Sequence, residues 1–144
     1  MRTALDWLTA AAPDPHACRT AWERTPATPA LLPAGRIWDA LLVPGALGRP
    51  ALAVLRQLSD TGPVLADPAG DRLGFLVPPG TAAHWTATGV RAAGPGNWTP
   101  LPYPDGRRHG LHWLVPPDGT GTLVDPARLE LALHDAAARH AGPR

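Results

Sequence analysis

Proline and glycine interrupt this chain so often that long helices and long strands are excluded over most of its length. The sequence has 19 prolines and 15 glycines in 144 residues, close to a quarter of the chain. Proline lacks a backbone N–H and glycine adds conformational freedom, so both residue types tend to end regular structure. The pattern predicts many short elements joined by turns, and the length fits a single domain over residues 1–144.

The charge balance and the cysteine content limit the class of partner and the compartment. Thirteen basic residues, all arginine, face 12 acidic residues for a formal net charge of +1, which excludes the strong positive field of proteins that coat DNA. Cys18, the single cysteine, cannot form an intramolecular disulfide, which suits a reducing cytoplasm, and we expect it to be a small buried hydrophobe. No stretch approaches the roughly 18 apolar residues of a membrane span, so we predict a cytoplasmic protein without membrane contact.

Apolar spacing and turn residues divide the chain into alternating helices and strands. Asp14 before Pro15, and Asp125 before Pro126, are typical helix starts, because aspartate accepts first-turn N–H groups and proline fits the first helical position. The predicted helices cover 3–12, 15–24, 48–60, 81–85 and 126–140, and the predicted strands cover 30–32, 36–43, 64–66 and 72–77, with further strand candidates in 89–104 and 110–116. The predicted class is α/β (α+β), with a mixed, mostly antiparallel sheet flanked by helices.

The order of several short motifs resembles that of a known family. The motifs are "WERTP" at 22–26, "IWDALLVP" after a glycine turn, the hairpin "DPAGDRLGFLVPPG", "GVRAAGPGNWTPLPYPDG" and "HWL". Together they resemble the bifunctional DNA primase/polymerase N-terminal domain, a branch of the archaeo-eukaryotic primase superfamily, and most of all its short stand-alone actinobacterial versions. The resemblance runs from about Trp22 to Trp113 and implies a primase/polymerase-like fold.

The resemblance also implies that the catalytic positions of the family are lost here. Active members end the strand after the glycine turn in two acids at i and i+2, which share one face and bind divalent cations; this sequence has Leu42 and Pro44 there. The family has a phosphate-contacting histidine at a position that matches the neighbourhood of Leu73. Its third motif has an acid at the position of Gly89, followed two residues later by an arginine that this sequence keeps as Arg91. We therefore predict a catalytically degenerate domain with no catalytic residue, no metal and no cofactor.

The sequence also allows an enzymatic alternative. Weak nucleotidyl transfer, as in a DNA primase/polymerase, would need Asp39, Asp67 or Asp71 as improvised metal ligands. Asp39 lies at an odd separation from Leu42, so strand alternation places the two side chains on opposite faces. For Asp39 we favour the interpretation of a hydrogen-bonded or edge-exposed acid.

The densest positive segment predicts a second kind of site. A weak nucleic-acid site would consist of Arg91, Arg107, Arg108 and His109, with Trp98, Tyr103 and Trp113 nearby for base stacking. A solvated basic turn flanked by core aromatic residues explains the same pattern. His109 and His112 are three residues apart, which on a strand puts them on opposite faces, so no zinc pair is predicted.

Two of the six tryptophans are candidates for contact with a partner. Trp85 and Trp98 lie in Gly/Pro-rich connections, where an exposed aromatic residue is typical of a docking surface. The leading hypothesis is a degenerate domain that acts by binding, with a protein partner favoured over nucleic acid because the net charge is near zero. Weak nucleotidyl transfer and a single-stranded nucleic-acid-binding module are the alternatives.

Overall fold

Most helices and strands are short, as the proline and glycine content predicts, although two helices have 14 and 15 residues. A computed structural model describes residues 3–58, 61–86 and 89–140. The helices are α1 (Ala4–Thr9), α2 (Pro15–Arg24), α3 (Gly45–Leu58), α4 (Thr81–His84) and α5 (Pro126–His140). The strands are β1 (Ala30–Pro33), β2 (Asp39–Pro44), β3 (Val64–Asp67), β4 (Arg72–Val77), β5 (Arg91–Ala93), β6 (Trp98–Leu101) and β7 (His112–Val115).

The two helices predicted from Asp-Pro pairs begin where the sequence indicates. The Asp14 side chain accepts a hydrogen bond of 3.1 Å from the Ala17 N–H at the start of α2. The Asp125 side chain accepts one of 3.1 Å from the Ala127 N–H at the start of α5. Each carboxylate satisfies a first-turn donor that has no partner within its helix.

The third helix starts earlier than predicted. It begins at Gly45, three residues before the predicted start, because the Gly45 N–H donates to the Asp71 carbonyl at 2.7 Å and the chain turns directly from β2 into the helix. Pro50 therefore lies in the second helical turn, not in the first. It leaves the Ala46 carbonyl without its usual helical donor. The predicted end at residue 60 lies outside the described residues.

The first helix and the second strand are shorter than predicted. Helix α1 ends at Thr9 and not at residue 12, because the chain tightens there into i to i+3 hydrogen bonds such as that from the Ala12 N–H to the Thr9 carbonyl. Strand β2 begins at Asp39 and not at residue 36. The Gly35 N–H donates to the Trp38 carbonyl at 2.7 Å, and Gly35 has a φ of 97°, so these residues close a turn before the strand starts.

The strands form two sheets. The central sheet has the order β5-β2-β4-β3-β7, and β1 pairs with β6 in a separate two-stranded sheet, called here the outer sheet. Every strand pairing within the described residues is antiparallel. The class predicted from the sequence, α/β (α+β) with helices flanking a mostly antiparallel sheet, is confirmed. The predicted mixed sheet differs in two ways: no parallel pair occurs among the described residues, and the strands divide between two sheets.

Each face of the central sheet packs against a different set of elements. One face carries Ala40, Leu65 and Leu76 and packs against α1, α2 and the outer sheet. The opposite face carries Leu41 and Phe75, among others, and packs against α3 and α5. Strand alternation produces this division, because successive side chains point to opposite sides of the sheet. The centre of the domain is therefore a sheet covered on both faces.

Candidate functional site

The end of β2 carries aliphatic groups where the resembled family carries metal-binding acids. Leu42 lies opposite Gly74 of β4 and Arg91 of β5 in the ladder, and both Leu42 and Pro44 are half-buried. A Cβ atom built on Gly74 would lie 3.0 Å from Cγ of Leu65 and 3.4 Å from Cδ2 of Leu42. The two leucine side chains thus fill the space above Gly74. Hydrocarbon groups offer no oxygen ligands to a hard cation.

The other two predicted motif positions do not join Leu42 on that face. Leu73 is fully buried on the opposite side of the sheet, where it packs against α3. A Cβ atom built on Gly48 of α3 would lie 3.2 Å from the Cβ of Leu73. Gly89 is exposed, has a φ of 81° and forms the turn before β5. The charged residue of β4 on the face of Leu42, which sequence reasoning missed, is the half-buried Arg72, which pairs with Pro44 in the ladder.

Asp39 is a buried hydrogen-bond acceptor. It is 0% exposed, and its Oδ2 accepts hydrogen bonds of 2.9 Å from the N–H groups of both Gly80 and Ala82 at the start of α4. The interpretation of Asp39 as a hydrogen-bonded acid is therefore the one that the structure supports. Its two bonds attach the 78–84 segment to the central sheet.

The acids required by the enzymatic alternative do not gather around one point. Asp71 forms an exposed ion pair of 3.1 Å with Arg49, while Asp39 is buried against α4. In the part of the chain that the structure describes, no group of three or more His, Cys, Asp or Glu side chains lies close enough to hold a metal ion.

The basic segment of residues 105–112 forms one side of a groove with a volume of about 390 Å³. The groove is lined by Pro26, Pro29, Tyr103, Arg107, His109 and His112, among others. Arg107 forms an ion pair of 3.1 Å with Asp105, and the His112 ring Nδ1 lies 2.7 Å from the Gly110 carbonyl oxygen. Two of the four residues predicted to bind nucleic acid, Arg107 and His109, thus meet here.

The other two predicted nucleic-acid residues lie outside the groove. Arg91 is exposed on β5 opposite Leu42, and Arg108 is exposed but does not line the groove. The aromatic residue inside the groove, Tyr103, is half-buried and packs edge to face against Trp22, with ring centroids 5.5 Å apart. The predicted basic residues therefore do not form one continuous track.

An exposed apolar face lies on the outer sheet. It consists of Leu31 and Pro33 of β1 with Trp98 and Pro100 of β6, and we call it the outer face. Leu31 is 64% exposed and Trp98 is 55% exposed. Leu31 pairs with Pro100 and Pro33 with Trp98, so the four side chains share one side of the sheet and none carries a charge.

The two prolines also decide how the outer sheet can be used. The Ala34 N–H donates to the Asn97 carbonyl at 2.9 Å, one step beyond the Pro33–Trp98 pair. The alternation of an antiparallel ladder then makes Leu31–Pro100 and Pro33–Trp98 non-hydrogen-bonded pairs, whose backbone nitrogens point away from the partner strand. Proline at these positions removes an outward N–H from each edge, which disfavours addition of another strand. The side-chain face, not the edge, is open to a partner.

Trp85 is not part of the outer face. It is half-buried and packs against the core cluster that α3 and α5 form, and it lines a separate depression beside Pro126 and Glu130 of α5. The structure therefore does not bring together the two tryptophans that the sequence singled out. Trp98 is the one that lies exposed beside other apolar side chains.

Cys18 is expected to react slowly with thiol reagents. It is half-buried on α2, and burial raises the pKa of its thiol because a low-polarity environment disfavours the thiolate. The folded protein should be modified by Ellman's reagent at pH about 8 more slowly than the urea-unfolded chain, whose thiolate fraction is larger. Equal rates in the two states would contradict this protection.

Comparison of the chain with protein-family models, with curated proteins and with solved structures finds no match. Among residues 3–58, 61–86 and 89–140, no helix has the length and apolar character needed to cross a bilayer.

Proposed function

We propose that this chain is a catalytically inactive binding domain that docks a protein partner on its outer face. The observation that carries the proposal is the exposure of Trp98 and Leu31 at diagonal positions on one side of a two-stranded sheet. In this proposal the domain is a degenerate relative of primase/polymerase domains that works in the cytoplasm. The motif order of the sequence and its single cysteine support those two parts.

The end of β2 lacks the metal ligands that nucleotidyl transfer needs. Metal-dependent phosphoryl transfer needs carboxylates that hold the cations against the phosphates. At this strand end Leu42 and Pro44 offer no oxygen ligand, and the Asp71 carboxylate beside Gly45 is paired with Arg49. The acid on the strand itself, Asp39, is buried on the opposite face. A domain built in this way retains the scaffold and loses the reaction.

The apolar chemistry of the outer face favours a protein partner. Tryptophan contributes a large apolar area at a low cost in side-chain entropy and is enriched at binding hot spots. Trp98 and Leu31 stay exposed while the domain buries the other five tryptophans wholly or in part. The outer face has no charge of its own, so an apolar surface of a protein partner complements it better than a phosphate backbone does.

A single-stranded nucleic acid is the second candidate partner. Arg91, Arg107, Arg108 and His109 would have to contact phosphates together, but only two of them line one groove, and Arg107 is already paired with Asp105. Fluorescence anisotropy with a labelled oligonucleotide tests this candidate. Genuine phosphate contacts would give binding at low salt that weakens steeply as salt rises.

Substitution of Trp98 should weaken capture of the partner without unfolding the domain. Immobilised Trp98→Ala and Leu31→Ala proteins should each recover less of the partner from native-host extract than the original chain does. We expect a loss of about 30-fold for Trp98→Ala, which corresponds to about 2 kcal/mol for a hot-spot tryptophan. The side chain is exposed, so circular dichroism should give an unchanged fold.

Leu131→Ala is the matched control for this experiment. Leu131 is 69% exposed on α5 and does not belong to the outer face, so its truncation should leave capture unchanged. Equal capture by the Trp98→Ala protein and by the original chain would disprove docking on the outer face.

A further inference from the structure

The groove lies beside one end of the outer sheet. Pro29 and Pro102, which line the groove, are the residues immediately before β1 and after β6. The strand ends next to them, Ala30 and Leu101, are paired. The groove therefore opens at one end of the outer sheet, about 10 Å from its far end at the rise of an extended strand.

The groove has more side chains that can bind an anion than side chains that repel one. The segment 26–29 contributes only Pro26, Ala27 and Pro29 to the lining, so all ionisable groups come from the other wall: Tyr103, Asp105, Arg107, His109 and His112. Asp105 is the one acid among them and is paired with Arg107. The formal charges of Arg107 and Asp105 cancel, so the two histidines are the further groups of the groove that can bind an anion.

The hydrogen bond of His112 leaves one ring nitrogen available to a ligand. A carbonyl oxygen can only accept, so the Nδ1 of His112, 2.7 Å from the Gly110 carbonyl oxygen, carries the hydrogen. Nε2 is then the free ring nitrogen, and it becomes a donor when the ring is protonated. His112 can therefore donate to a carboxylate in its charged form and not in its neutral form.

We propose that the groove receives an acidic side chain of the same protein partner whose apolar residues cover the outer face. This inference rests on the proposed function and identifies the partner segment as an extended stretch of apolar residues with a carboxylate at one end. The apolar part packs on Trp98 and Leu31, and the carboxylate lies against Arg107, His109 and His112. The prolines of the groove wall hold the aliphatic stem of the acidic residue.

A carboxylate on a protein segment fits the groove better than nucleic acid does. A volume of about 390 Å³ suits one or two side chains, whereas strands of single-stranded nucleic acid need a groove that follows several nucleotides. The single tyrosine of the groove is half-buried against Trp22. It does not offer the row of free aromatic faces on which successive bases stack.

Two peptides that differ only in charge test the proposal. The probes are acetyl-Glu-Glu-Ala-Leu-Ala-Leu-Ala-Glu-Glu-amide, which has acids at both ends because either chain direction would fit, and its counterpart with glutamine in place of every glutamate. Titration of the isotope-labelled full chain, followed by amide chemical shifts, should give about fivefold tighter binding of the acidic peptide, the effect of a partly exposed ion pair.

Three variants assign the preference to the groove. Arg107→Gln should remove most of the preference for the acidic peptide, and Asp105→Asn should increase it because Arg107 loses its competing acid. Arg108→Gln removes the same charge from a neighbouring residue outside the groove and should leave the preference unchanged.

Each result supports or overturns the inference. Equal binding of the two peptides, both weakened by Trp98→Ala, would overturn the acidic groove and leave docking on the outer face intact. Failure of Trp98→Ala to weaken either peptide would count against the proposed function itself. Inorganic phosphate binding as tightly as the acidic peptide would reduce the groove to a general anion site. Tighter binding of an oligomer of about ten thymidines would assign the groove to nucleic acid instead.

Discussion

Replacement of Asp39 by alanine is expected to lower the free energy of unfolding by about 3 kcal/mol, because two N–H groups at the start of α4 lose their charged acceptor. Asp39 is 0% exposed, and its Oδ2 binds the N–H groups of Gly80 and Ala82 at 2.9 Å each. Water cannot replace the carboxylate fully in a closed interior, and the small side chain of alanine also leaves a cavity. Urea unfolding followed by circular dichroism measures the loss.

Two further variants separate the structural role of Asp39 from a catalytic one. Asp39→Asn keeps one oxygen that can accept both hydrogen bonds, so it should cost clearly less than Asp39→Ala. Asp71→Asn changes an acid that is exposed in its ion pair with Arg49 and should change stability by less than about 0.5 kcal/mol. A template-dependent extension assay with Mg²⁺ or Mn²⁺ should give no incorporation above a blank. Incorporation that Asp39→Asn abolishes in a stable protein would establish the enzymatic alternative.

Replacement of Gly62 by alanine is expected to destabilise the protein by about 3 kcal/mol, at the upper end of the usual cost of overpacking. A Cβ atom at this position would lie 2.3 Å from both the Leu123 carbonyl carbon and the Val124 nitrogen. These are backbone atoms, and the Val124 N–H is itself held by the Leu76 carbonyl at 2.9 Å. The chain before α5 would have to move and lose that bond.

Gly70→Ala is the matched control for Gly62→Ala. The atoms nearest to a Cβ at Gly70 are the side-chain Nε of Arg72 at 3.1 Å and Oδ2 of Asp67 at 3.2 Å. Both belong to flexible side chains that can move away, so stability should change little. Thermal unfolding of the two variants in parallel measures the difference. An equally small effect of Gly62→Ala would mean that residue 62 lies farther from the backbone of residues 123–124 than the structure indicates.

Local patterns were sufficient to predict the elements whose hydrogen bonds are local. Helices α2 and α5 were predicted from Asp14 and Asp125, and the β3–β4 hairpin from its turn, because the residues that define these elements are neighbours in the chain. The outer sheet was not predicted, since β1 and β6 are separated by more than 60 residues. Their pairing depends on tertiary packing, which no local pattern encodes.

The candidate site was predictable to a similar extent. The exposure of Trp98 was predicted from its surroundings of glycine and proline, but the same reasoning applied to Trp85, which packs against α3 and α5 instead. The basic segment was recognised in the sequence, whereas the wall that turns it into a groove, Pro26 and Pro29, lies about 80 residues earlier in the chain. Strand alternation correctly placed Asp39 away from Leu42, because a period of two is a local property.

Pro33 and Pro100 have a consequence for the behaviour of the protein at high concentration. An apolar strand with free backbone donors is a template for fibril growth, in which each added chain continues the hydrogen-bond ladder. With a proline in each strand of the outer sheet, that ladder is interrupted at both edges while the apolar side chains remain accessible. The outer sheet can thus expose apolar side chains to water without offering an uninterrupted edge for fibril growth.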